Sequence, residues 1–323
     1  MDNEASLARR EQRRRAIRRR RTAALIALAG ALLAVVAVLA AGALGGSTAP
    51  RRAGASTTAA SSRHHARTHT SAGGSSAVRS TGRPGTQAVP ILMYHVIAPP
   101  PAGAPFPGLY VSPSEFAAQM QALKAAGWHA VTLDQLQSYW REGTPLGAGR
   151  PIVLTFDNGY ESQYTQALPV LQRLGWVADE NIQLSGLPPS QGGLGQAEIR
   201  RLVAAGWELD TQGFSHADLI RLGAEQLHYE VAVARSALQQ RYHVPVNWFC
   251  YPSGHYDATV IDTVRAAGYR GSTTVVPGWA HPTDDPYRLH RLRVLGGTSP
   301  QALLSLVTDT RSAPAAPSSY SGA

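Results

Sequence analysis

Residues 151–160 read PIVLTFDNGY. Ile152, Val153, Leu154 and Phe156 make an almost continuous apolar run that breaks into Asp157, Asn158 and Gly159. An apolar run without alternation marks a strand covered on both faces, as in the parallel sheets of α/β folds. In such folds chemistry collects at the carboxyl ends of the strands. Here that end carries an acid followed by an amide. Asn-Gly is also the strongest short hairpin signal, which gives a bare turn as the competing reading. A hairpin needs a second, alternating strand, and none is there: ESQYTQALPVLQRLGW (161–176) has a helical period, with Leu168, Leu171 and Leu174 on one side. A strand with a polar end leading into a helix is the geometry of an active-site strand.

The same alternation extends in both directions. Strands are expected at 89–95, 129–133, 151–156, 181–184, 207–211, 246–250, 271–275 and 291–295. Helices are expected at 113–127, 134–142, 160–174, 196–206, 223–242 and 256–268. The first of these starts on a capping signature, with Ser112 as N-cap, Pro113 in the first turn and Glu115 three residues after the cap. Alternation over some 220 residues predicts either a parallel β/α barrel or an open doubly wound sheet. There is no internal repeat.

The 323 residues carry a formal net charge of +9, and that charge is not spread evenly. Residues 1–86 hold 15 of the 30 Lys and Arg and three acids, while residues 87–323 hold 15 basic and 18 acidic residues. The basic excess therefore belongs to the N-terminal segment. A nucleic-acid face on the main domain is excluded as an expectation. Nine arginines lie within residues 9–21, and the adjoining residues 22–46 carry no charge. At about 1.5 Å per residue this run spans a bilayer core of roughly 30 Å. The arginines ahead of it predict a cytoplasmic N-terminus and an extracytoplasmic remainder. An uncleaved signal anchor is the expectation, with a cleaved signal peptide as the alternative, since Ala41-Gly42-Ala43 resembles a cleavage site. Residues 47–88, rich in Ser, Thr, Ala, Gly and Arg, cannot build a core and read as a flexible tether. Residues 312–323 read as a short disordered tail. The single cysteine, Cys250, excludes an intramolecular disulfide and reads as a small buried hydrophobe. The six tryptophans (128, 140, 176, 207, 248 and 279) read as core or rim packing rather than as sugar platforms.

Three strand ends finish in polar clusters. They are Asp157 and Asn158; Asp210, Gln212 and His216 in GWELDTQGFSHADL (206–219); and Ser253, His255 and Asp257 in VNWFCYPSGHYD (246–257). Parallel neighbours would bring all three to one rim.

These stretches carry a resemblance. Residues 89–295, about two thirds of the chain, resemble the polysaccharide deacetylase family (carbohydrate esterase family 4, the NodB-homology domain). LTFDNGY (154–160) matches T-F-D-D-G-Y in all but one letter, and WELDTQGFSHADL (207–219) matches E-x-x-x-H-(T/S)-x-x-H-x-x-L with one histidine missing. FCYPSGHYD (249–257) matches F-x-Y-P-x-G-x-Y-D. PILMYHVI (90–97) and RLHRLRV (288–294) resemble the opening and closing strands of the branch acting on extracellular poly-N-acetylglucosamine.

The resemblance implies a distorted (β/α) barrel and hydrolysis of acetamide groups on N-acetylhexosamine polymers, with cell-surface polysaccharide as partner. It implies a divalent metal, usually zinc, held by an acid and two histidines, and a carboxylate base acting on a metal-bound water. The base falls on Asp157 and one ligand histidine on His216. The other two ligand positions hold Asn158 and Gln212. Tyr251, Pro252, Ser253 and Gly254 fall on the segment whose backbone N–H helps stabilise the oxyanion. No residue matches the general-acid histidine, His290 being the weak second choice. Amides bring no charge to offset a cation, and zinc sites use imidazole, thiolate and carboxylate. The expectation is a metal site too degenerate for tight zinc binding. Compensating ligands could come from His95, Asp210 or His255, although His95 and His255 read rather as structural or substrate-facing residues and Asp210 as a buried acceptor. Two functions are compatible with these residues: a membrane-tethered deacetylase with a weakened site, or a non-catalytic relative that binds glycan or regulates an active partner.

Overall fold

The computed structural model describes residues 80–187 and 192–322. The expected basic segment, membrane span and most of the tether lie outside them. Among the described residues, no helix is long and apolar enough to cross a membrane.

Strand β3 (Arg150–Asn158) organises the sheet. One of its edges pairs in parallel with β1 (Val89–Tyr94). The other pairs first with β2 (Trp128–Val131) and then, further along, with β4 (Asp179–Ile182), both parallel. From β4 the parallel order continues through β5 (Glu208–Thr211), β6 (Trp248–Cys250) and β7 (Gly271–Thr273). Beyond β1 lies β8 (Trp279–Ala280), the antiparallel member. The sheet curls into a half-barrel whose open side is crossed by residues 289–294. Leu289 bridges to Thr273, and β9 (Leu292–Arg293) pairs with β1.

Helices pack outside this curl. They are α1 (Pro113–Ala125), α2 (Leu133–Glu142), α3 (Leu168–Leu174), α4 (Gln196–Ala204), α5 (Ala224–His228), α6 (Ala234–Tyr242), α7 (Ala258–Ala266) and α8 (Pro300–Asp309). The capping box expected at α1 is present: Glu115 N donates to Ser112 Oγ, and Ser112 N to Glu115 Oε2. A similar box made by Thr132 and Gln135 starts α2, and Gly143 in the left-handed region ends it.

Alternate residues divide the core into an outer and an inner layer. Leu92, Tyr94, Leu154 and Phe156 pack outwards on Phe116 and Met120 of α1, and Phe156 stacks on Trp207 at 5.0 Å. Leu209, Phe249 and Tyr251 pack outwards on Leu238 and Val260. Inside, Ile91, Val131, Val153, Trp248 and Leu289 form the apolar floor. Five of the six tryptophans are buried, as expected, and so is Cys250.

The structure departs from the expectations at six places. The predicted helix 160–174 begins with a π-helical turn, Gln163–Ala167, and the predicted helix 223–242 contains another, Tyr229–Val233. β8 and α8 were not anticipated. β4 starts two residues earlier than predicted, because Asp179 and Glu180 do not look like strand interior. Residues 313–322, read as a disordered tail, lie as a strap. Tyr256 and Tyr320 exchange backbone hydrogen bonds of 2.8 Å, Tyr256 Oη donates to Pro317 O, and Arg288 NH1 donates to Ala316 O. Composition alone could not reveal those partners.

Candidate functional site

Because β3, β5 and β6 are parallel, their carboxyl ends meet at one rim. Among the described residues, three of the four non-glycine residues with positive φ sit there: Asn158 (80°), His216 (59°) and Ser253 (56°), the fourth being the helix cap His243. Left-handed backbone costs an ordinary residue about 1 kcal/mol or more and persists where surrounding structure enforces it, typically at functional sites. The strain falls on the motif positions singled out above. The Asn158-Gly159 pair ends the strand and leads into the π turn and α3, which disposes of the hairpin reading.

Asp157 is 1% exposed and faces the concave interior. Its Oδ1 accepts from Arg291 NH1 at 2.7 Å and Asn181 Nδ2 at 2.8 Å, and its Oδ2 accepts from Arg291 NH2 at 2.9 Å. Arg291 also donates to Thr155 Oγ1, Thr274 O and Cys250 Sγ. Touching β3 and β6 at once is possible only across the inside of the curl. Burial pushes the Asp157 carboxyl upward, but the guanidinium overrides it and holds the pKa at about 2. Burial drives the Cys250 thiol up to about 12, so it is inert at neutral pH.

His95 follows β1 and places Nε2 3.9 Å from Asp157 Oδ2. Burial lowers its pKa to about 4, leaving a neutral imidazole whose Nδ1 is buried without a hydrogen-bond partner. His216 is partly buried, and burial also lowers its pKa. Gln212 is buried with Oε1 unpartnered. The turn 251–254 is tight: Gly254 N donates to Tyr251 O at 2.8 Å, and a Cβ on Gly254 would lie 2.4 Å from Val275 Cγ2. Ser253 is exposed at its tip.

The two π turns aim side chains at this rim. Gln163 Nε2 donates to His95 O and Asp157 O at 2.8 and 2.9 Å, clamping the ends of β1 and β3 together. Glu230 Oε2 accepts from Phe214 N and Ser215 N at 2.9 and 2.8 Å, fixing the loop between Gln212 and His216. A π turn adds one residue to a helical turn and so re-aims a side chain, which is why such turns recur at functional sites.

The remaining candidates fall elsewhere. Asp210 is the buried acceptor expected, taking N–H from Asn247 and Trp248. His255 Nδ1 donates to Asp218 Oδ1 at 2.9 Å. His290 is buried and donates Nε2–H to Pro314 O in the strap, a structural role that does not suit a general acid. Sequence reasoning missed Arg291, Asn181, Gln163 and Glu230.

The rim donors do not fit zinc. Positions 158 and 212 offer amide oxygens, and both Asp157 oxygens are engaged by a guanidinium. Among the described residues, the one group of three His, Cys or acidic side chains with ligand atoms within 4.8 Å of one another is Asp179, Glu208 and Asp210, which includes none of Asp157, Asn158, Gln212 and His216. Burial raises the pKa of Asp179 and Asp210 and moves that of Glu208 to about 7.

A cleft of ≈ 580 Å³ is lined by Tyr110, Tyr160, Glu161 and the proline-rich loop 98–105. It opens beside the ends of β1 and β3.

Comparison with known proteins matches the fold and a family profile. Residues 147–272 match the family profile described as polysaccharide deacetylase. A putative polysaccharide deacetylase of Bacillus subtilis, YxkH, is 28% identical over 215 residues, covering 66% of this chain and 74% of that protein. A poly-β-1,6-N-acetyl-D-glucosamine N-deacetylase of Escherichia coli is 40% identical over 60 residues, 19% of this chain and 9% of that protein. The structure of a Streptococcus pyogenes deacetylase in complex with acetate superposes with a TM-score of 0.63 at 24% identity, covering 69% of this chain and 99% of that one.

Proposed function

Since the chain carries a domain of the polysaccharide deacetylase family, we propose that it engages N-acetylhexosamine polymers at the cell surface and that its rim, as it stands, does not run zinc-dependent deacetylation. One observation supports this reading: the rim keeps its strained backbone, its buried Asp157 and its 251–254 turn, while the donors at 158 and 212 have become amides. The shape for a glycan is retained and the means of activating water is not. In this reading residues 22–46 anchor the protein in a membrane, and the Ser-, Thr- and Gly-rich stretch that follows lets the domain reach nearby polymer, while its last residues dock on α2 through Thr81, Gly82, Gly85 and Gln87.

Expression of the chain with zinc present, followed by metal analysis and acetate release from poly-N-acetylglucosamine oligomers, tests the proposal. The natural protein is expected to bind oligomer without holding stoichiometric zinc or releasing acetate. The Asn158→Asp, Gln212→His double variant is expected to gain zinc. Tight zinc in the natural protein would falsify the reading.

A second reading keeps the enzyme active, with His95 as replacement ligand. The unpartnered Nδ1 of His95 and its approach to Asp157 favour it. On this reading His95→Ala abolishes any zinc content and acetate release; zinc that survives that change removes it.

A further inference from the structure

The half-barrel encloses a second constellation, independent of how the rim is read. Asp179 on β4 and Glu208 and Asp210 on β5 present ligand atoms within 4.8 Å of one another. Each carboxylate is oriented in the same way, with one oxygen accepting a backbone N–H. Leu133 N donates to Asp179 Oδ1 at 2.9 Å, and Asp134 N donates to Glu208 Oε2 at 3.1 Å. Trp248 N and Asn247 N donate to Asp210 Oδ1 at 2.9 and 3.3 Å. The other oxygens, Asp179 Oδ2, Glu208 Oε1 and Asp210 Oδ2, are buried and accept no N–H or hydroxyl, and without a cation Asp179 and Glu208 have only each other, as a carboxyl–carboxylate pair that shares a proton.

A neutral side chain adds a separate observation. Asn181 is 1% exposed and lies in register between Asp157 on β3 and Asp210 on β5. Its Nδ2 donates to Asp157, towards β3. A planar amide that points its nitrogen to one neighbour turns its oxygen towards the other, the side where Asp210 stands. That Oδ1 is also buried and unpartnered. Asp210 Oδ2 and Asn181 Oδ1, on two adjacent strands, thus lack a donor, in a place where an unpartnered polar atom costs about 1–3 kcal/mol. The nearby acid Asp134 is not part of this set, because Asn247 Nδ2, Trp248 Nε1 and Arg270 already occupy its oxygens.

We propose that Asp179, Glu208 and Asp210, with the Asn181 amide oxygen, form an all-oxygen site for one hard divalent cation of the calcium, magnesium or manganese class. Oxygen-only donors with three negative charges suit such ions and not zinc, which favours nitrogen and sulfur. Glu208, the least buried of the three, marks the approach from the start of α2. An ion there holds the Asn181 oxygen and so steadies the amide that donates to Asp157.

The test uses the full chain, stripped with a chelator and titrated separately with calcium, magnesium and manganese chlorides. Thermal unfolding and calorimetric binding are the readouts. At least one of the three ions is expected to raise the unfolding midpoint saturably at one ion per chain. Asp210→Asn is expected to weaken binding by about tenfold or more, while unfolding no earlier than the natural chain in chelator, because one charge has left the cluster. That second comparison separates lost binding from lost folding. His216→Ala is expected to keep the full ion-dependent rise. The proposal is overturned if no ion moves the midpoint, if Asp210→Asn retains the rise undiminished, or if His216→Ala abolishes it and so places the ion at the rim.

Discussion

Arg291 ties the rim together across the inside of the curl. It is 1% exposed and satisfies a carboxylate, a hydroxyl, a carbonyl and a thiol at once. Removing one partner of a buried ion pair leaves a charge with nothing to offset its desolvation, a loss of about 3–5 kcal/mol. Arg291→Met is therefore expected to destabilise the protein by that amount in urea titration. Adding Asp157→Asn is expected to restore a substantial part, since the abandoned charge is gone. Equal destabilisation by the single and double variants would show that packing of the arginine stem, rather than the charge pair, carries the cost. Asp157 was legible from the sequence because a buried strand that ends in an acid is conspicuous. Arg291 was not, because nothing local distinguishes it from the other two arginines in RLHRLRV, Arg288 and Arg293, and its partner lies 134 positions away.

At the scale of elements, the two π turns do the aiming. Glu230 reaches the loop before His216 because the helix widens over Tyr229–Val233. Glu230→Ala is expected to cost roughly 2–3 kcal/mol, the range for hydrogen bonds to a charged group. It is also expected to speed amide exchange at Phe214 and Ser215 ahead of global unfolding, and exchange at those two amides that stays as slow as in the natural chain would show that the loop holds itself. The sequence showed these segments as helices but not their π turns, since one extra residue per turn leaves the apolar period nearly intact. Strands of continuous apolar residues, β1 and β3, were plain. β4 was placed late because Asp179-Glu180-Asn181 reads as loop, and its burial depends on partners on β3, β5 and α2. α8 did carry a signal: Ser299 and Pro300 precede Leu303 and Val307 as Ser112 and Pro113 precede Phe116 and Met120, and Ser299 Oγ caps Ala302 N.

For the whole molecule, the strap at 313–322 ties the turn after β6 to the residues that close the curl. Through Pro314, Ala316, Pro317 and Tyr320 it reaches His290, Arg288 and Tyr256. At about 1 kcal/mol net for each such hydrogen bond, ending the chain at residue 311 is expected to lower stability by roughly 5 kcal/mol in chemical denaturation. An unchanged midpoint would mean that the strap follows the fold without supporting it. A disordered tail was a fair reading of Ala, Pro and Ser, because its hydrogen bonds are made by main-chain groups that composition does not reveal.

The crossing segment 289–294 has a consequence in time as well as in space. Asp157 is made early in synthesis and its counter-charge arrives 134 residues later. Until then a growing chain holds a carboxylate whose intended neighbours, Arg291 and Cys250, do not yet exist, so the rim cannot form on a nascent fragment. Long-range closure of this kind slows folding, since a large loop must be ordered before the contact rewards it. The site is thus acquired late, and a product that ends before residue 291 lacks the charge that holds Asp157.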